Sequence, residues 1–151
     1  MPAAVRTSKL AGLFEHAARL IHGAGHAHGL YPAQWTALRY FSETGRDRAP
    51  TVAGLMRFQN MAMSPVARTV RSMVEKGLLE RRPNPQDRRA DLIDLTDEGR
   101  RLLELDPRQR LEALLDKVPA SQKVVVAEAL QILIDGLLDE TDRSAPPPDR
   151  S

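Results

Sequence analysis

SPVARTVRSMVEKG, residues 64–77, is the stretch whose reading decides the fold. Ser64 and Pro65 read as a side-chain N-cap followed by the first helical position, where proline costs nothing because that amide would lack a partner anyway. Gly77 reads as the stop. Between them Val66, Val70, Met73 and Val74 recur at the spacing of one buried helical face, while Arg68, Arg71, Ser72 and Glu75 fall on the other side. The stretch is therefore a short helix lying on something apolar with arginines turned outward. Many surface helices fit that description, so its neighbours carry the decision.

Upstream, Thr51 to Phe58 reads as a short helix with Val52, Leu55 and Met56 inward, and a tight turn centred on residues 59–63 leads into Ser64. Two short helices joined so closely, the second one capped and arginine-bearing, form the pattern of a helix-turn-helix. Downstream, Leu78 to Arg82 and Leu92 to Leu95 each have the composition of a short strand, and PNPQDRRAD between them has that of a hairpin tip. A basic hairpin directly after a helix-turn-helix is a wing.

The flanks are helical. From Ser8, the residues Leu10, Leu13, Phe14, Ala17, Leu20, Ile21 and Ala24 follow an i, i+3, i+4, i+7 rhythm, and the glycine-containing end HGAGHAHG predicts fraying and a stop near Gly29. Pro32 starts a second helix with Trp35, Leu38, Tyr40 and Phe41 as its apolar set, ending near Thr44; GRDRAP, residues 45–50, is a polar connection. Thr96 caps another helix with Asp97 and Glu98 in its first turn, where the dipole favours acids. Leu102, Leu103, Leu111, Leu114, Leu115 and Val118 extend its apolar face, and Pro107 predicts a kink or break.

A last helix spans Ser121 to Asp139, with Val126, Leu130, Leu133 and Leu137 on one stripe and Ala127, Ile134 and Leu138 beside it, too wide for one neighbour. The tail RSAPPPDRS, residues 143–151, has nothing apolar to bury and is expected to be disordered. The fold class is thus mainly α with a small β-hairpin wing. One domain over 1–151 is expected, with 46–96 as the winged helix-turn-helix and 8–45 and 97–140 as dimerisation helices. The terminal helices have no core of their own, so a homodimer follows from unburied apolar surface.

Composition narrows the function. The 151 residues include no cysteine, which excludes a disulfide scaffold, a thiolate zinc site and a cysteine nucleophile. No run of eighteen apolar residues and no signal-peptide core is present, so no membrane role and a cytoplasmic location are expected. The net charge of +2 hides an asymmetry: residues 46–101 carry twelve Lys/Arg against eight Asp/Glu, and residues 102–143 five against nine. The basic excess, +4 against −4, sits on the helix-turn-helix, as phosphate binding requires; a solvated basic surface has the same balance.

With these residues in place the chain resembles the MarR (multiple-antibiotic-resistance-regulator) family of winged helix-turn-helix transcription factors. The resemblance is carried by GLYPAQWTAL at 29–38, MSPVARTVRSMVEKGLLER at 63–81 and DRRADLIDLTDEG at 87–99, and spans about residues 8–140. It implies a homodimer with interlocking terminal helices, bound as a transcriptional repressor to a pseudo-palindromic operator in double-stranded DNA. Ser64, Pro65, Arg68, Thr69, Arg71 and Ser72 would then meet the major groove, and Arg88 and Arg89 the minor groove. Asp87 would orient an arginine. The resemblance also implies a small aromatic or phenolic effector, for which His16, Trp35 and Tyr40 are the candidates, although Trp35 lies on an apolar stripe and reads more readily as core than as a ligand platform. The competing class is a helical dimeric ligand- or protein-binding module without DNA binding.

Other constellations are weaker. His22 and His26 stand four apart on a helix with His28 nearby, but no acidic or cysteine ligand accompanies them, and HGAGH lacks the glutamate of a zinc hydrolase. No metal and no cofactor are expected. Absence of a phosphate loop, a nucleophile elbow or paired carboxylates argues against an enzyme. Met56, Met61, Met63 and Met73 are expected to fill the small core of the helix-turn-helix.

Overall fold

A computed structural model describes residues 4–44 and 49–144, so most of the connection at 45–50 and of the tail at 143–151 lies outside the described residues. The elements in order are α1 (Thr7–Ala24), α2 (Pro32–Glu43), α3 (Val52–Gln59), α4 (Met63–Glu75), β1 (Leu79–Arg82), β2 (Leu92–Leu95), α5 (Asp97–Leu103), α6 (Arg108–Leu115) and α7 (Ala120–Ser144). Two compact units are formed, one ending at Gln109 and the other starting at Arg110. Mainly helical with one two-stranded hairpin, the chain has the expected fold class.

The first unit is built around α2. Trp35, Ala37, Leu38 and Phe41 of that helix meet Leu55 of α3, Val66, Val70 and Met73 of α4, and Leu79, Ile93 and Leu95 of the hairpin in one buried cluster. Burial of each larger side chain contributes roughly 1.5–3 kcal/mol, which is what holds helices this short in place. The hairpin is antiparallel, with Leu79 opposite Leu95 and Arg82 opposite Leu92. Glu80 and Asp94 face each other as like charges, offset by the ion pair of Arg82 with Asp94. The free edge of β2 is anchored where the Ile93 N–H donates to the Pro50 carbonyl at 2.8 Å.

The corner after α4 ties these parts together. Gly77 sits at φ +74°, and the Gly77 and Leu78 amides donate to the Val74 and Met73 carbonyls, closing the helix with a Schellman motif. The Leu78 carbonyl accepts the Thr96 N–H at 3.1 Å, and the Gly77 carbonyl accepts the Thr96 hydroxyl at 2.6 Å. Thr96 also caps α5 by accepting the Gly99 N–H at 3.1 Å, as its sequence position predicts. A Cβ on Gly99 would lie 2.2 Å from the Leu78 oxygen, so only glycine lets α5 approach the corner.

Several boundaries differ from the sequence reading. α1 ends at Ala24 and not near Gly29, because the chain reverses in a tight turn: the Leu30 N–H donates to the Ala27 carbonyl, with His28 and Gly29 at φ +53° and +75°. The N-cap of α4 is Ala62, which makes no side-chain cap bond, so Ser64 and Pro65 lie inside the first turn; proline is still accommodated there because those amides have no intrahelical partner. Pro107 produces a break, with α5 ending at Leu103 and α6 starting at Arg108. α7 continues to Ser144, which moves Arg143 and Ser144 out of the tail and into the helix. Of the methionines, Met73 is buried and Met56 half-buried, but Met61 and Met63 are 42% and 44% exposed because the α3–α4 turn lifts them off the core.

At the break, Asp106 performs two tasks that the sequence reading did not assign. Its carboxylate receives Arg39 of α2 bidentately, Nε and Nη2 each at 2.6 Å, and accepts the Arg108 N–H at 2.8 Å as the cap of α6. Burial pushes this carboxyl up, but the Arg39 hydrogen bonds, the Arg108 amide and both positive charges outweigh it and hold the group below its ordinary value. In the second unit, no residue of α7 is buried, and Leu130, Leu133 and Leu137 are exposed along one stripe. α1 likewise buries none, leaving Leu10, Leu13, Leu20 and Ile21 exposed.

Two outcomes are expected. Gly99→Ala should lower stability by about 1–3 kcal/mol through overpacking, read as a reduced urea midpoint at unchanged slope. Because the folded-state pKa of Asp106 is lowered, its contribution is complete above the unfolded carboxyl value near pH 4 and is lost as pH falls through the lower folded value. The stability gap between the wild type and Asp106→Asn should thus be flat above about pH 5 and close on acidification below about pH 4.

Candidate nucleic-acid interface

α4 owes its placement to its apolar face. With Val66, Val70 and Met73 fully buried, Ser64, Arg68, Arg71 and Glu75 at successive spacings of four, three and four form one exposed stripe on the far side. Pro65 and Thr69 are half-buried beside it, and the Thr69 hydroxyl is occupied in donating to the Pro65 carbonyl at 3.1 Å. Ser72 departs from its expected position: it is half-buried, and its hydroxyl accepts from Gln34 Nε2 at 3.4 Å. The reason is angular, since position 72 lies nearer the α2 contact than position 71 does.

Gln34 is the residue that sequence reasoning missed here. It is 4% exposed, and its amide spans two elements: Oε1 accepts the Tyr31 N–H at 2.9 Å, and Nε2 donates to Ser72. A second tie runs from Lys76 Nζ to the Gly29 carbonyl at 3.2 Å. The C-terminal half of α4 is thereby fixed to the start of α2 and to the turn before it. A buried glutamine on an otherwise apolar stripe was the available signal.

At the hairpin tip Arg88 and Arg89 are both exposed. Asp87 organises this tip through backbone: its Oδ1 accepts the Arg89 N–H at 3.0 Å, an Asx turn that orients the main chain and leaves the guanidinium to solvent. Lower on the stem, Arg81 pairs with Asp91 at 3.9 Å and Arg82 with Asp94. Among the described residues, Arg68, Arg71, Arg88 and Arg89 enter no ion pair, so the α4 stripe and the tip each carry two unpaired guanidiniums. Exposed guanidiniums on a rigid helix and a hairpin are suited to phosphate and base-edge contact.

The other expected residues are dispersed. His16 is exposed on α1, Trp35 is fully enclosed in the core, and Tyr40 is half-buried at the rim of a cleft. His22 and His26 pack edge to face with ring centroids 5.3 Å apart, and His26 does the same with Tyr31 at 5.7 Å. Among the described residues no group of three or more His, Cys, Asp or Glu is placed to hold a metal ion. No helix among them is long and apolar enough to cross a membrane.

Comparison with known proteins agrees with this geometry. Residues 28–90 match the model of the MarR family, covering α2 to the wing tip. An uncharacterised HTH-type transcriptional regulator, YdgJ of Bacillus subtilis, is 32% identical over 83 residues, 55% of this chain and 48% of YdgJ. The match thus spans about half the length of that relative. Among solved structures, CouR of Rhodococcus jostii bound to p-coumaroyl-CoA is similar with a TM-score of 0.67 at 23% identity, covering 82% of this chain and 90% of CouR. FabT of Streptococcus pneumoniae in complex with DNA is similar with a TM-score of 0.65 at 19% identity, covering 87% and 94%. Residues 28–90 are thus similar to the MarR family, and the chain has the winged helix-turn-helix fold of these solved structures.

The Gln34 joint generates a test. Gln34→Leu removes both ties, leaving the Tyr31 N–H and the Ser72 hydroxyl without their buried partner, and should cost about 1–3 kcal/mol of stability. Fluorescence of the single, fully buried Trp35 during urea unfolding reports it directly.

Proposed function

We propose that the chain is a sequence-specific DNA-binding transcriptional regulator, a repressor that acts as a homodimer on a pseudo-palindromic operator and is released by a small-molecule effector. The observation that carries this is the exposed Ser64–Arg68–Arg71 stripe on a helix whose opposite face is locked into the core. In the major groove that stripe supplies guanidiniums for guanine edges and phosphates, while Pro65 and Thr69 lie beside it and Ser72 supports it from the α2 side. Arg88 and Arg89 at the wing tip fit the minor groove, where the negative potential is strongest, and Asp87 holds the tip backbone for them. FabT, of similar fold, is seen in complex with DNA, which supports the reading.

The homodimer reading rests on the exposed apolar stripes of α1 and α7, which a second copy would cover. Two recognition helices related by such a two-fold would be spaced by about 34 Å, one turn of DNA. An effector that alters this spacing weakens binding by linkage. CouR, bound to p-coumaroyl-CoA, is a protein of similar fold that holds an aromatic ligand. Nothing in this reading requires a cofactor, a metal or a membrane.

Selection of bound sites from random duplexes should return a pseudo-palindrome, and recovery of unrelated sequences would remove the reading. On the selected operator, Arg89→Ala should lower affinity by roughly 1–3 kcal/mol in gel-shift titrations at fixed salt with the urea midpoint unchanged. An unchanged affinity would exclude the wing-tip contact.

A further inference from the structure

We propose that Met61 and Met63 form an oxidation site, at which hypochlorous acid converts both thioethers to sulfoxides and thereby loosens the hold of α4 on DNA. The regulatory half rests on the DNA-binding reading, whereas the modification itself does not. The chain has five methionines and no cysteine, so its only sulfur groups open to an oxidant are thioethers. Their placement decides which of them react. Met73 is fully buried and Met56 half-buried against the core, whereas Met61 and Met63 are 42% and 44% exposed, one on each side of Ala62 in the turn from α3 to α4. Met1 lies outside the described residues.

The backbone of the turn holds these two side chains off the core. Asn60 is left-handed at φ +49°, its N–H donates to the Arg57 carbonyl at 3.3 Å, and the Met61 N–H donates to the Met56 carbonyl at 3.2 Å. Met61 thus leaves a closed helix end. Met63 and Ser64 are the first two residues of α4, and their N-cap, Ala62, makes no side-chain cap bond. First-turn amides have no intrahelical acceptor and Pro65 has no N–H, so the Met63 and Ser64 N–H groups are left for an outside acceptor. A DNA phosphate is such an acceptor, favoured by the helix dipole. A sulfoxide oxygen is another, carried on a side chain tethered beside the same amides.

The reaction is a two-electron transfer at sulfur. Thioether and hypochlorous acid give sulfoxide, chloride and a proton: an S–O bond forms, the O–Cl bond breaks, sulfur is oxidised, chlorine is reduced to chloride, and the hydroxyl proton goes to water. The product is polar and accepts hydrogen bonds that a thioether makes only weakly. Enzymatic reduction of the sulfoxide restores methionine, so the change is reversible.

The test begins with the full chain free of DNA, treated with about two equivalents of hypochlorite, quenched with free methionine and mapped by peptide mass spectrometry. Met61 and Met63 should each gain one oxygen at least about tenfold faster than Met56 and Met73, with Trp35 fluorescence unchanged. Oxidation of all four at one rate, or of Met56 or Met73 first, overturns the site. The operator selected by the untreated chain is then titrated. The oxidised chain should bind it at least about tenfold more weakly, and treatment with methionine sulfoxide reductases should restore the affinity. The double variant Met61→Leu with Met63→Leu, which stays apolar but has no sulfur in the turn, should bind like the wild type and keep its affinity through the same treatment.

Unchanged operator affinity after selective oxidation, or an equal loss in the double variant, overturns the regulatory half. Selective oxidation of a chain that selects no duplex would leave the oxidation site standing and remove the DNA reading. Operator selection by a chain whose Met61 and Met63 resist hypochlorite would do the reverse.

Discussion

The carbonyls of Gly77 and Leu78 are the joint on which the winged helix-turn-helix depends. Within two residues the recognition helix is closed, the first wing strand begins, and both oxygens are taken by Thr96, which in turn starts α5. Gly99 completes the joint by having no side chain, since any Cβ would meet the Leu78 oxygen. Helix, hairpin and following helix therefore share one set of hydrogen bonds, and displacement of any one strains the other two. This is how a unit with so few buried residues holds an arginine-bearing helix in a fixed direction.

That direction matters to the proposed reading of DNA, which works by placement. Long arginine side chains reach base edges only if the helix beneath them is held at a defined angle, and α4 is held on two sides. Its apolar face rests on the cluster around α2, and its C-terminal half is tied by Gln34 to Ser72 and by Lys76 to Gly29. The wing separates its charges by role. Pairing of Arg81 with Asp91 and of Arg82 with Asp94 steadies the stem, while Arg88 and Arg89 stay exposed at the tip. Asp87 spends its carboxylate on backbone, which shapes the tip without neutralising it.

A second theme is the coupling of α2 to everything else. The same helix supplies the core, bonds the recognition helix through Gln34, receives Asp106 through Arg39 and offers Tyr40 to the cleft with Phe58. A ligand or a proton acting on α2 therefore has a short physical route to α4. The leucines exposed on α1 and on α7 are the apolar surface that the proposed homodimer would cover.

Much of this was legible in the residues themselves. Periodicity marked Val66, Val70 and Met73 as the buried face of α4, Thr96 with two acids marked the start of α5, and two short strand-like runs around PNPQDRRAD marked the wing, because these are local signals. Pro107 announced the break, and MSPVARTVRSMVEKGLLER with DRRADLIDLTDEG carried the resemblance to the MarR family. What tertiary structure decided were pairings between residues far apart in sequence, which no local period encodes. Arg39 finds Asp106 across 67 positions and Gln34 finds Ser72 across 38, and only the packed core brings them within reach. The placement of Tyr40 against Gly54 and Phe58, the exposure of Met61 and Met63, and the turn of Ser72 toward α2 have the same origin. Sequence by itself determined which elements form and which carry positive charge; only the fold decided which side chains hold those elements at their angles, because angles are set by contacts between elements and not within them.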